Sequence, residues 1–247
     1  MAKIGVPTAE AFLVGRRAAA DVIALADLAQ ALEMRGWRFP LIVKPVRGRG
    51  SEGVRRVQDL ADATVYVATA LADGHFGSAL MVEEFLEGDE LTLTVMPPGS
   101  RDRSGNLATA PWALRPVRRV AHQDGVAPYN GAVAVTQNSI ALTARECDTP
   151  ALAALIAHCV AVAQRVGARA PIRIDCRAGR DGYRVFDLNM KPNMTGPGRP
   201  GREDQDSLSA LAARAEGWRY EDLLEAMLQA AWPLSTGLNQ GRAGPAG

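Results

Sequence analysis

The chain carries Ile172-Arg173-Ile174-Asp175-Cys176 and, one turn later, Val185-Phe186-Asp187-Leu188-Asn189. Both stretches alternate apolar and polar residues, so each reads as a strand with one polar face. Arg173 and Asp175 share the polar face of the first strand, Asp187 and Asn189 that of the second. Gly179-Arg180-Asp181-Gly182 supplies turn residues between them, and a hairpin symmetric about Asp181 sets Asp175 opposite Asp187. Directly opposed residues have Cβ atoms about 4.5–5.5 Å apart. Two carboxylates that close repel, so one takes up a proton or both share a cation. Oxygen donors from two Asp and an Asn amide suit magnesium, which is held by one or two carboxylates plus substrate phosphates. The alternative is an ordinary surface hairpin with solvated polar faces. Whether the rest of the chain can seat a nucleotide decides between the two.

Composition narrows the field. At 247 residues, with 47% hydrophobic and 22% charged, the chain can bury a core as one large or two smaller domains. Its 28 basic and 27 acidic residues leave a formal charge of +1, so no global field recruits nucleic acid or an anionic membrane. Cys147, Cys159 and Cys176 are odd in number and form no CxxC pair, which argues against a disulfide framework or a zinc knuckle and for a reducing, cytoplasmic setting. No apolar run is long enough to span a bilayer, and the opening Met-Ala-Lys-Ile-Gly lacks the organisation of a secretion signal.

Helix and strand signals alternate along the chain. Residues 16–34 are rich in Ala and Leu and read as a helix ending before Gly36. Residues 39–45 are a buried strand ending in Lys44-Pro45, and Asp59 caps a helix that runs to Gly74. Strands at 80–85 and 91–95 flank the turn Glu87-Gly88-Asp89. Residues 97–138 are rich in Pro, Gly and Arg, with a weak strand signal at 133–136. Thr149-Pro150 opens a helix that closes at Gly167. After the carboxylate hairpin come a Gly/Pro/Arg-rich loop, helices at 207–216 and 220–231, and a Gly-rich tail at 236–247 expected to be disordered.

Two further segments bear on a nucleotide. Arg47-Gly48-Arg49-Gly50-Ser51-Glu52-Gly53 offers backbone N–H groups with few side chains in the way, as wrapping phosphates requires. It is neither a P-loop nor a dinucleotide fingerprint, and glycine-rich surface turns are common. Lys44, on the strand before it, can reach a phosphate as a point charge or simply snorkel at a sheet edge. In Val82-Glu83-Glu84-Phe85-Leu86-Glu87-Gly88-Asp89-Glu90, extended backbone can pair with a purine edge and a later carboxylate can accept ribose hydroxyls. Alone, this segment is equally an acidic hairpin in water.

Taken in order, Lys44 on its strand, the glycine loop, residues 83–90, Arg173-x-Asp175 and Asp187-x-Asn189 resemble the ATP-grasp superfamily, in its D-alanine-D-alanine ligase-like branch. The order differs from a protein kinase, whose glycine loop precedes the lysine strand. The resemblance implies an α+β fold in which two lobes, with mainly antiparallel sheets and flanking helices, clamp ATP between them. Residues 1–85 would form the small lobe and 86–235 the large one. It also implies an ATP-dependent ligase that joins a carboxylate to an amine through an acyl-phosphate. Lys44 would contact the α- and β-phosphates, and Arg49, Gly50, Ser51 and Gly53 would close over them. Glu83 would meet the adenine amino group, Glu84, Phe85 and Leu86 would border the ring, and Glu90 would hold the ribose. Asp175, Asp187 and Asn189 would bind two magnesium ions, or manganese in their place. Arg173 would stabilise the phosphoryl group in transfer, and Asn193 and Thr195 would open the loop for the acyl-phosphate and second substrate, with Arg199 and Arg202 as a carboxylate clamp.

The sequence departs from the family pattern in places. Lys191 stands where a neutral residue is usual, and extra Gly, Pro and Arg follow Thr195. The phosphate-contacting lysine between the lobes has no counterpart, leaving Arg115, Arg118 and Arg119 as substitutes. Lys3-Ile4-Gly5-Val6-Pro7-Thr8 resembles a segment part-way through such proteins, so an N-terminal substrate domain and an upstream ATP lysine are expected to be missing or supplied by a partner. Small-molecule carboxylate and amine substrates follow, with a homodimer as the usual assembly. A bicarbonate-using carboxylase-type enzyme and a nucleotide-binding remnant are the alternatives.

Overall fold

The structure, a computed structural model, describes residues 4–48, 51–122, 125–126, 134–198, 200–201 and 205–231. The described chain runs β1 (Ala11–Gly15), β2 (Val22–Ala24), α1 (Leu28–Met34), β3 (Leu41–Pro45), β4 (Arg55–Val57), α2 (Leu60–Asp73), β5 (Ala79–Glu84) and β6 (Glu90–Met96). It continues with β7 (Trp112–Ala113), β8 (Val117–Arg119), β9 (Ser139–Ala141), α3 (Ala144–Cys147), α4 (Pro150–Arg165), β10 (Ile172–Gly179), β11 (Gly182–Asn189), α5 (Leu208–Ala215) and α6 (Tyr220–Gln229). Among the described residues no helix is long and apolar enough to cross a membrane.

Two sheets divide these strands. The first has the order β2-β1-β5-β3-β4 and is antiparallel except for β1 and β2. Its Leu41 and Val43 face a core with Leu80, Val82 and residues of α1 and α2, while Ile42 and Lys44 alternate to the other face. The second has the order β11-β10-β6-β8-β9, with β7 also paired to β6, and is antiparallel throughout. One face of it, with Leu91, Leu93, Ile172, Ile174 and Cys176, is buried against α4. Met96 and Leu114 pack with α5 and α6 in a third cluster. Val6 joins the core under α4, and Ala9 donates to the Val185 carbonyl at 3.0 Å, so the chain runs along the second sheet before entering the first.

The helix signals are met where capping chemistry supports them. The Asp59 side chain accepts from Asp62 N, and Gly74 closes α2 at φ 74°. Thr149 caps α4 with Pro150 in its first turn. The helix expected over 16–34 is confined to a 3-10 turn at Leu25–Asp27 and the α-helix at Leu28–Met34. A turn pairing Ala19 with Val22 feeds β-branched Val22-Ile23 onto the exposed edge of β1, and that pairing overrides the helix propensity of an Ala-rich run. Of the strand expected at 133–136, the described residues 134–136 form none. Val133 lies outside the described residues, residues 135–137 form a turn, and the strand begins at Ser139. The tail at 236–247 lies outside the described residues too.

The strands at 80–85 and 91–95 do not fold back on each other across the turn at 87–89. β5 belongs to the first sheet and β6 to the second, so residues 85–89 link the two. Gly88 N and the Ala178 carbonyl are 3.0 Å apart, as are Ala178 N and the Asp89 carbonyl, which stitches this link to the tip of the β10–β11 hairpin. A Cβ on Gly88 would lie 2.6 Å from both the Cβ and the carbonyl oxygen of Ala178. Gly88→Val therefore forces the link off the hairpin and lowers stability by about 1–3 kcal/mol, read as a shift in the urea unfolding midpoint.

Candidate functional site

The polar face of the second sheet is set by pairing. Residues directly opposite share a face, and Glu90, Thr92 and Thr94 alternate on β6. Glu90 pairs with Arg119 on β8 and Arg177 on β10. Thr92 pairs with Asp175, which pairs with Asp187. Thr94 pairs with Arg173, which pairs with Asn189. The expected opposition of Asp175 and Asp187 is present, but its route differs from simple symmetry. The turn is the tight pair Gly179 and Gly182, and the register shifts between Cys176 and Asp175 so that Phe186 is skipped.

This face meets the Lys44 face of the first sheet across a cleft open to solvent, lined by charged side chains from both sheets. Lys44, Ser51, Glu83, Glu84, Phe85, Leu86, Glu90, Arg173, Asp175 and Asp187 all line it. Gly53, Asn189, Asn193 and Thr195 are not among its walls. Gly53, at φ 69°, packs so tightly that a Cβ would lie 2.6 Å from the Phe76 ring. Asn189 Oδ1 accepts from Lys191 N at 3.0 Å, and Asn193 Oδ1 accepts from Thr195 N and Oγ1. Arg49, Gly50, Arg199 and Arg202 lie outside the described residues. Of the three candidate arginines, Arg119 lines the cleft, whereas Arg115 pairs with Glu216 and Arg118 with Asp89 and Glu146.

The cleft is crowded with compensated charge. Lys44 Nζ lies 2.8 Å from Glu83 Oε2 and donates to the Phe186 carbonyl at 3.1 Å, joining the two sheets. Burial raises the Glu83 carboxyl above its ordinary value, and Lys44 opposes that rise. Arg173 donates to both Asp175 oxygens at 3.1–3.2 Å, and Thr92 Oγ1 donates to Asp175 Oδ1 at 2.6 Å. Burial works against the Arg173 charge, but Asp175 outweighs it and the guanidinium is held above its usual value. Burial raises the Asp187 carboxyl, and repulsion from Asp175 raises it further. Arg119 and Arg177 are lowered by burial, against the pull of Glu90. Among the described residues no three His, Cys, Asp or Glu side chains cluster to hold a metal. What remains for a cation is the Asp175–Asp187 pair, whose mutual repulsion a shared cation would relieve.

The sequence left several participants unremarked. Arg177 was accessible to it, because Arg173, Asp175 and Arg177 alternate on one strand. The Phe186 carbonyl and His122, whose Nε2 lies 2.8 Å from Glu90 Oε2, carry no local signal.

Solved structures share this architecture. The D-alanine-D-alanine ligase from Coxiella burnetii matches at a TM-score of 0.63 and 17% identity, covering 92% of this chain and 52% of that one. D-alanine-D-alanine ligase from Bacillus anthracis complexed with ATP matches at 0.60 and 20% identity, covering 93% and 64%. The fold is the ATP-grasp fold. Residues 1–229 match the family described as D-ala D-ala ligase C-terminus, and the chain belongs to that family. D-alanine–D-alanine ligase from Polaromonas sp. strain JS666 is 30% identical over 227 residues, 89% of this chain and 57% of its own length. The enzyme from Ralstonia nicotianae is 33% identical over 193 residues, 75% and 50%. The chain thus spans about half the length of the curated relatives it matches.

The Asp187 carboxyl gives a pH test. Well below the carboxylate range both folded and unfolded chains hold this proton, and well above it neither does. Between those limits the folded chain holds it longer, so folding is penalised as pH rises through the raised value. Asp187→Asn therefore raises the thermal midpoint at pH 7.5, and the gain shrinks as pH falls through the carboxylate range.

Proposed function

We propose that this chain binds ATP and magnesium between its two sheets and serves an ATP-dependent ligase that joins a carboxylate to an amine through an acyl-phosphate. The first sheet, with residues 1–85, would be the small lobe and residues 86–235 the large one, although residues 4–9 lie along the larger sheet. The supporting observation is convergence: Lys44 and Glu83 from one sheet and Glu90, Arg119, Arg173, Asp175 and Asp187 from the other face a single cleft. Membership of the D-alanine–D-alanine ligase family supports the reaction class. The free thiols suit a reducing, cytoplasmic setting.

Each residue has a part in that reading. Lys44 would leave its partner Glu83 to meet the phosphates, freeing Glu83 for the adenine amino group. Arg119 would take the place of the missing lysine at the phosphates. Asp175, Asp187 and Asn189 would hold magnesium with phosphate oxygens, and that ion would supply charge neutralisation. Asn189 would first turn from Lys191 N. The substrate carboxylate would attack the γ-phosphorus with loss of ADP, and an amine would then displace phosphate to form the amide. Arg173, held by Asp175 on the same face, would meet the phosphoryl group in transfer.

ADP release tests this. Turnover is expected only when magnesium-ATP, a small amino acid and an amine acceptor are all present, and Asp187→Ala abolishes it. Release driven by bicarbonate alone would assign carboxylase-type chemistry instead. Lys44→Ala weakens magnesium-ATP binding by at least about tenfold, the loss of one charge-assisted hydrogen bond, measured by calorimetry.

A further inference from the structure

One partly buried contact at the cleft wall has no part in the function proposed above. Glu90 opens β6 with a side chain only 7% exposed, and its Oε2 lies 2.8 Å from His122 Nε2. Neutralisation does not require that histidine, because Arg119 and Arg177 already sit opposite Glu90 on either side. Nor does the sheet deliver it. Arg119 pairs with Glu90, so an extended β8 would carry His122 three residues, roughly 10 Å, beyond Glu90. Instead Ala121 adopts φ 56°, a left-handed conformation unfavourable for a residue with a Cβ, and the next residue meets the carboxylate. Backbone held in such a conformation is kept only where the surroundings enforce it, and it concentrates at binding sites.

We propose that His122 is a positioning residue of a nucleotide-sugar subsite, orienting the Glu90 carboxylate to accept the two vicinal hydroxyls of a ribose. This rests on the ATP-binding reading and adds to it the residue that sets the geometry of its sugar contact. An ionised carboxylate has about four lone-pair positions. His122 occupies one on Oε2, which leaves Oε1 and the remaining position on Oε2 for a diol. With the imidazole removed, the carboxylate turns toward Arg119 or Arg177 and offers the diol only one oxygen.

Calorimetry with magnesium-ATP and magnesium-2′,3′-dideoxy-ATP, on the full chain and on His122→Phe, His122→Gln and Glu90→Gln, tests this. His122→Phe is expected to weaken ATP by about five- to tenfold, the scale of one hydrogen bond to a charged group, and to leave dideoxy-ATP unchanged. His122→Gln, which keeps an N–H donor, restores most of the ATP affinity, a rescue that simple loss of packing would not give. Equal weakening of both nucleotides by His122→Phe, or no change in either, overturns the proposal. If Glu90→Gln leaves the ratio of the two affinities as it was, the ribose reading of Glu90 fails, and this inference with it. Thermal unfolding of each variant establishes that it is folded, and should His122→Phe not fold, the His122→Gln ratio decides: a loss of discrimination between the nucleotides despite the retained donor overturns the proposal.

Discussion

The opposition of Asp175 and Asp187 is the constraint around which the cleft is organised, and a skipped residue produces it. In the tight Gly179–Gly182 turn the natural partner of Asp175 is Phe186, and Asp187 would fall opposite Ile174 on the apolar face. The shift at Phe186 moves Asp187 onto the polar face and leaves the Phe186 carbonyl outside the ladder. That carbonyl accepts from Lys44, the cation of the other sheet. One irregularity thus both aligns the carboxylates and ties the two sheets together. Bulges re-aim side chains in this way next to many binding sites.

The charges around this pair form an alternating grid. Arg119, Glu90 and Arg177 lie side by side across three strands, and Arg173 next to Asp175 along one. Each carboxylate has a guanidinium neighbour and each guanidinium a carboxylate, which keeps so many partly buried charges from unfolding the face they occupy. Asp187 is the exception, since its partner across the ladder is another carboxylate, and burial first and that repulsion second hold its proton more tightly. Arg119, in the same grid, keeps a buried Nε without a hydrogen-bond partner among the described residues.

Much of this was legible in the sequence where a period or a cap carried it. The alternation in 172–176 and 185–189 put Arg173, Asp175 and Asp187 on polar faces, and Asp59, Gly74 and Thr149 marked their helix ends correctly. Runs whose fate depends on distant pairing were not legible. Ala and Leu in 16–34 favour helix locally, yet Val22 and Ile23 join the edge of β1, a contact no local window contains. The turn at 87–89 looks like a hairpin because both flanks are strands, and only the assignment of those strands to different sheets shows it to be a link. Asn193 and Thr195 fit the pattern by position, but their side chains bond to one another beyond the cleft walls. His122 depends on one left-handed residue, and nothing in the letters around it announces that turn.

The chain passes between the two sheets twice, at residues 9–11 and again at 85–89. These crossings run side by side, since Glu84 N donates to the Glu10 carbonyl at 3.1 Å while Ala9 N is fixed to Val185. Two adjacent pins define an axle: twisting or sliding the first sheet would strain one pin or the other, while a swing about the line through both would spare them and break the Lys44–Phe186 bond across the cleft. Such a swing would also change the distance between Ser51 and Lys44 on the first sheet and the carboxylates of the second, all of which line the cleft.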